Sequence, residues 1–510
     1  MTGPVSTHEH DHDRGRDAHL RDAEVFHATN PVIQAWGLIG ATLLAATAVL
    51  GYFLAPHGDA AAAPHGSRAL PPLWWIGCAP FASFLLAIAI LPLIPACAGW
   101  WHKNANKLAL SLVAAFATLA YVVFSESAPI AAGAATHAIA LDFVPFIVLL
   151  FALFVISGGV HIEGDFIARP RTTTAILAFG TLIASVVGTT GASVLLIRPL
   201  LATISERKYR VHTVVFFIFL VSNIGGTLLP IGDPPLFMGY LRGVPFWWTL
   251  TLWKEWATCS AVLLTLYFVI DSVYWKNEPD ANKLLDRVRV RSLRVTGTLN
   301  LLWLALVVAT VAFVDTSRRL PFTDIHPPIY AREVILLLCA GLSMLLTPKK
   351  VREANRFSFG AIAEVAAIFV GIFVAMHVPL EVLRSQGDQL GLSTPGHFFW
   401  ATGLLSSFLD NAPTYVVFLQ AADVLTDSLG DVLVTLTDGN QISEPLLTAV
   451  SLGAVFMGAN TYIGNGPNFM VRSIAEESGV RMPSFFGYMM WSGAILIPLF
   501  VVIHWLFLGT

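Results

Sequence analysis

Ser222-Asn-Ile-Gly-Gly-Thr-Leu-Leu-Pro-Ile-Gly-Asp-Pro-Pro-Leu-Phe-Met-Gly-Tyr240 interrupts an apolar run that opens at Val211 (Val-His-Thr-Val-Val-Phe-Phe-Ile-Phe-Leu-Val221). Within Ser222–Pro235 stand three glycines, three prolines, an Asn, a Thr and an Asp. Each Gly or Pro weakens or removes helical hydrogen bonds, so the apolar run is half a membrane helix that ends in broken backbone. At membrane depth such a break survives only where protein or a water-lined cavity satisfies the freed amides and carbonyls. A partial copy lies at Gly458-Ala-Asn-Thr-Tyr-Ile-Gly-Asn-Gly-Pro-Asn-Phe-Met470, where Gly464–Met470 aligns without a gap to Gly232–Met238. Matching interruptions in the two halves of an apolar chain point to the binding site of a secondary transporter.

Composition agrees. The 510 residues are 55% hydrophobic and 12% charged, with a mean hydropathy of +0.69, against about a quarter charged in soluble proteins. The chain reads as an all-α polytopic membrane protein with lipid as its solvent and no nucleic-acid partner. Cys78, Cys97, Cys259 and Cys339 lie in apolar runs without metal or redox spacing and read as small core residues.

Residues 1–33 form a polar tail, expected to be disordered and cytoplasmic, and no apolar core follows a basic start within the window of a signal peptide. Its His8–Asp13 tract is either a loose transition-metal binder or a solvated tail. Residues 34–125 carry the first helices (Val32–Leu54, Leu73–Ile94 and Leu108–Phe124), followed by a loop without Lys or Arg at 125–140. A first repeat occupies 126–275. It contains a helix opening at Asp142, the short apolar pair Thr172–Val187 and Ala192–Thr203 joined at Gly188-Thr-Thr-Gly191, the broken helix and a long helix, Trp247–Trp275. Each member of the short pair falls below the roughly 20 residues a span needs, which suggests a re-entrant hairpin. A charged connector, 276–298, leads to a second repeat, 299–510. Here the hairpin is Phe398–Leu409 and Pro413–Leu425, joined at Asp410-Asn-Ala-Pro413, and the second broken helix and a last helix, Phe485–Leu508, follow.

Lysine and arginine belong on the cytoplasmic side. Arg207, Lys208, Arg210, Lys283–Arg294 and Lys349–Arg356 are then inside, and the Lys-free loops at 125–140 and 428–444 outside. The result is eleven spans and two hairpins in inverted repeats in the cytoplasmic membrane, with the N-terminus inside and the C-terminus outside.

Tips and breaks meeting near the midplane would share one site. Its candidate residues are Thr189, Thr190 and Ser193 at one tip, and Asp410, Asn411 and Thr414 at the other. The first break adds Ser222, Asn223, Thr227 and Asp233, and the second Asn460, Thr461, Asn465 and Asn468. Hydroxyls, amides and carbonyls are hard oxygen ligands suited to an alkali cation, whereas half-helix N-termini favour an anion. A carboxylate between apolar arms, as at Asp410, is expensive unless it takes a cation or a proton, which is what exchange of sodium for protons requires. The other reading of Asp410 is the N-cap of the second arm. His377, in a long apolar helix, is either a proton relay or a satisfied core histidine. Asp142 and Glu364 lie near helix ends. No H-E-x-x-H or G-x-S-x-G motif is present, so an enzyme is not expected. Nor is any cofactor or metal, with sodium entering as cargo.

Ser406-Ser-Phe-Leu-Asp-Asn-Ala-Pro413 resembles the S-S-x-x-D-N-x-P element of NhaD-type sodium/proton antiporters. Ser222–Pro235, together with Thr190-Gly-Ala-Ser-Val-Leu-Leu-Ile-Arg-Pro199, is similar to the citrate-transporter-like branch of the ion transporter superfamily, over roughly residues 70–510. The resemblance implies a scaffold that forms a homodimer, a transport domain that carries the hairpins as an elevator, and two cation sites, each pairing a tip with a break. Sodium- or proton-coupled uptake of citrate or a related carboxylate is the alternative. The dicarboxylate symporters of the superfamily have Ser-Asn-Thr at both tips, where this chain reads Gly188-Thr-Thr-Gly-Ala-Ser193 and Leu409-Asp-Asn-Ala-Pro-Thr414.

Overall fold

The computed structural model describes residues 73–315, 319, 324, 326–386, 391–429, 432–437 and 439–509. The tail and the helix expected at Val32–Leu54 lie outside the described residues. Along the first half run α1 (Trp74–Ile90), α2 (Pro95–Trp101), α3 (Asn104–Ser125), α4 (Ala128–His137), α5 (Val144–Ser157), β1 (His161–Glu163), α6 (Pro170–Val187), α7 (Thr189–Thr203), α8 (Val211–Leu220), α9 (Pro234–Leu241) and α10 (Trp253–Lys276). The connector holds α11 (Asp280–Val288) and β2 (Arg294–Thr296). The second half contains α12 (Leu299–Phe313), α13 (Ala331–Leu346), α14 (Lys349–Ala354), α15 (Gly360–Ala375), α16 (His377–Gln386), α17 (Pro395–Phe408), α18 (Asn411–Leu429), β3 (Leu433–Thr435), β4 (Gln441–Ser443), α19 (Glu444–Met457), α20 (Gly466–Glu477) and α21 (Phe485–Ile503).

Among the described residues, six helices are long and apolar enough to cross a membrane, or eight if each of two bent pairs is one span. The chain is therefore a mostly helical, multi-pass membrane protein. Its strands form only two antiparallel ladders, β1 with β2 and β3 with β4. The first broken segment is the most enclosed. In Val211–Leu228 the structure buries 89% of the residues, against 28% of an apolar 18-residue stretch within Asn104–Ser125 and within Phe246–Lys276. An apolar exterior around a polar-bearing centre is the arrangement lipid solvation favours.

Two contacts position the site. α9, which follows the first break, packs on α18, the second arm of the other half's helical pair; α20, which follows the second break, packs on α7. Each half thus places its broken helix against the other half's tip.

Several local expectations change. The stretch expected as a loop at 125–140 is the helix α4, whose Ser127 side chain accepts from the Ile130 N–H. It continues through a π turn, Ala138–Phe143, into α5. Its alanines carry strong helix propensity, which outweighs the lack of an amphipathic pattern. The pair is also longer than expected. α6 begins at Pro170, at the first helical position where proline's fixed φ fits, and its 18 residues are enough to count among the candidate spans. α7 begins at Thr189, so a single residue, Gly188 with φ 79°, makes the turn. The long apolar helix expected around His377 is two helices, α15 and α16, meeting at a 42° bend, and the helix expected over Leu73–Ile94 ends at Ile90 as α1, with α2 leaving it at 99° beyond Pro92. Asp142 and Glu364 are both ion-paired: Asp142 with Arg242 at 3.3 Å, and Glu364 with the buried Lys107 at 2.6 Å.

Candidate functional site

Four helices begin at one place. Gly188, Asp233, Asp410 and Asn465 are the residues preceding α7, α9, α18 and α20. Pro at the first turn of α9 and α20 favours initiation there, since its missing N–H has no partner to lose. The breaks fold back so tightly that backbone touches backbone. A Cβ on Gly232 would collide with the Gly226 carbonyl, and one on Gly464 would come within 2.6 Å of the Gly458 carbonyl oxygen. The aligned residues of the two breaks thus use glycine for the same close approach.

Asp233 is at the centre and buried. Its Oδ1 accepts from Thr189 Oγ1 (2.7 Å) and Asn465 Nδ2 (3.1 Å), and its Oδ2 accepts from Asn411 Nδ2 (2.7 Å). One carboxylate therefore joins both tips and both breaks. Its hydrogen-bond donors are all neutral. Each such bond to a charged acceptor is worth about 1.5–3 kcal/mol and works against the cost of burying the carboxylate.

The surrounding amides extend the network. Asn465 Nδ2 also reaches Asn223 Oδ1 and the Ser222 carbonyl, both at 3.2 Å. Asn223 Nδ2 donates to Asn468 Oδ1 (2.7 Å) and to the Ile218 carbonyl (2.8 Å), which the break leaves without a helical partner. Asn468 Nδ2 serves the Gly458 and Thr461 carbonyls. Ser193 and Ser222 share a hydrogen bond of 2.8 Å. In the second break, Asn460 Nδ2 donates to Ser407 Oγ at 2.9 Å and Thr461 Oγ1 donates to the Ser407 carbonyl. Among the described residues, the buried amide oxygens Asn411 Oδ1 and Asn460 Oδ1 have no hydrogen-bond partner.

Among the described residues, the other expected residues make no side-chain hydrogen bond to Asp233. Asp410 is half-buried, and its Oδ1 accepts from the Ala412 N–H at 3.1 Å as the cap of α18; its neighbour Asn411 makes the bond to Asp233. Thr414 bonds to its own helix at the Asp410 carbonyl, and Thr227 to the Ile224 carbonyl. Thr190 is half-buried beside Thr189, outside the network. His377 opens α16, and no hydrogen bond among the described residues joins it to the cluster. Ser407 and Ser185 were not among the sequence candidates. Ser185 Oγ donates to the Gly225 carbonyl and accepts from the Leu228 N–H at 3.0 Å. Ser407 is the second serine of the Ser406–Pro413 element quoted above, which could have flagged it, whereas Ser185 lies at neither a break nor a tip, so only its helical offset from Gly188 could have found it.

The arrangement can hold a small cation or a proton between a carboxylate and uncharged oxygens, at a point reached from both halves. Residues 69–508 match a family profile described as "Putative citrate transport". Uncharacterized transporters of Mycobacterium tuberculosis and Mycobacterium bovis are each 24% identical over 323 residues, which cover 61% of this chain and 70% of the relative. These matches support the citrate-transporter-like family and not specifically an NhaD-type sodium/proton antiporter. With all of the described helices inside the matched region, the chain belongs to that citrate transport family and is a membrane transporter of the citrate-transporter type.

Proposed function

We propose that the protein is a secondary transporter that exchanges sodium for protons, with Asp233 and Asp410 as the acidic pair and the surrounding amides and hydroxyls as cation ligands. One observation carries this reading. The buried oxygen of Asn411 lacks a donor among the described residues, while the same side chain donates to a carboxylate whose partners are all neutral. Oxygen-only ligands of this kind suit a dehydrated alkali ion. Protonation of the same carboxylate would expel the ion, which couples the two flows.

On this reading the chain has eleven spans and two helical hairpins in inverted halves, sits in the cytoplasmic membrane with its N-terminus inside and C-terminus outside, and pairs as a homodimer. The hairpins and broken helices move together as an elevator past the remaining helices. The reciprocal contacts of α9 with α18 and α20 with α7 favour such a body, because each site element is packed on its counterpart from the other half.

A second reading, sodium- or proton-coupled uptake of citrate or a related carboxylate, is favoured by family membership and by the four converging helix N-termini. The deciding experiment reconstitutes the protein in liposomes that contain a pH dye. A sodium pulse that moves protons without citrate supports exchange. Proton or sodium movement that requires citrate supports symport and overturns it.

A further inference from the structure

The connector between the halves carries a surface that the transport site does not use. The helical period sorts the side chains of α11 onto three faces. One faces the protein: Asn282 Nδ2 donates to Glu278 Oε1 at 2.8 Å, and the Ala168 N–H donates to both oxygens of Asp286 at 3.2 and 3.0 Å. The second carries Lys283 and Arg287, with Lys283 Nζ 5.6 Å from the centre of the Trp275 ring. The third, Leu284, Leu285 and Val288, is apolar and 63%, 43% and 75% exposed. After the helix the exposed chain alternates, with Arg289, Arg291 and Arg294 separated by Val290 and Leu293, until β2 begins at Arg294.

Charge is just as unevenly placed. Glu278 and Asp286 are buried on backbone amides, Glu278 accepting from the Lys208 N–H at 2.6 Å. Of the segment's acidic groups from 278 to 294, only Asp280 remains on the surface, facing a lysine and four arginines. α11 starts three residues after α10, a candidate span, ends, and β2 is followed closely by the apolar helix α12. Both ends therefore tether the segment to helices of the membrane region. An exposed apolar stripe beside a basic one, held at a bilayer boundary, fits the interfacial zone of a membrane with anionic headgroups.

We propose that α11 and the Arg289–Arg294 stretch dock on anionic phospholipids of the membrane the chain spans, with Leu284, Leu285 and Val288 at the acyl boundary and the arginines at phosphates. Asp286 would then couple lipid contact to Ala168, just before α6.

The test places an environment-sensitive fluorophore on Val288→Cys in the full-length protein, with the unsubstituted protein labelled in parallel to subtract native cysteines. It is reconstituted in phosphatidylcholine alone or in vesicles rich in phosphatidylglycerol. Expected are blue-shifted emission and quenching by doxyl lipids in the anionic vesicles. Both should fall to the phosphatidylcholine level in 1 M salt, where the screening length is about 3 Å. Adding R287Q, R289Q and R291Q should abolish the difference between vesicle types. A label equally wet in both vesicles overturns the proposal, as does equal quenching in both. Blue-shifted emission without lipid quenching also overturns it, because a second copy or another protein then covers the face.

Discussion

Asp233 and Asp410 are both acidic, yet their surroundings assign them different structural work. Asp233 accepts three side-chain hydrogen bonds. An asparagine there turns one donor against another, so Asp233→Asn should lower stability by about 1–3 kcal/mol, read as a drop in melting temperature in detergent. Asp410 caps α18 through one backbone N–H, which an amide oxygen serves equally well. Asp410→Asn should therefore melt within about 0.5 kcal/mol of the unsubstituted protein. On the exchange reading both variants lose sodium-driven proton movement in liposomes. Full exchange by the Asp410 variant would remove that residue from the mechanism. Asn465→Ala deletes a donor to Asp233 and to Asn223. It should weaken sodium affinity while its pH dependence remains, because the carboxylate is still present.

The breaks depend on glycine as backbone spacer more than as flexible residue. Gly232→Ala drives a methyl into the Gly226 carbonyl and Gly464→Ala brings one against the Gly458 carbonyl, so both should reduce folded yield and transport. The control is Gly341→Ala in α13. A Cβ there meets nothing within 4 Å, and losing a helical glycine should leave stability unchanged or raise it by about 0.5–1 kcal/mol, measured by thermal melting. The same elements show what a sequence can and cannot disclose. Clustered Gly and Pro mark a break because they act locally on the backbone, so both breaks and both tips were legible. α4 was not, because an alanine-rich stretch has no polar face to mark its period. The central place of Asp233 was not legible either. Local sequence surrounds both Asp233 and Asp410 with helix breakers, and only long-range contacts from Thr189, Asn411 and Asn465 distinguish them.

For the whole molecule, the exchange reading makes sodium and proton compete for one site. Below the carboxylate's sodium-free pKa, apparent sodium affinity should weaken by about tenfold per pH unit, and above it should level off. Scintillation proximity across roughly pH 5.5 to 9, with and without citrate, checks this. Affinity that ignores pH but improves with citrate would replace exchange by symport. Sidedness is open to a separate measurement: a cysteine at Gln441, exposed on β4, should react with an impermeant reagent in intact cells, and one at Arg289 only after permeabilisation. The reciprocal packing of the halves also has a consequence during synthesis. Asp233 and its partner Asn465 are 232 residues apart, so at ribosomal rates of about 5–20 residues per second the aspartate waits on the order of ten seconds or more for that donor. Through that interval the newborn first half carries an acid within the lipid bilayer without the amides that will hold it. Its survival rests on the insertion machinery, or on a proton borrowed until the second half arrives.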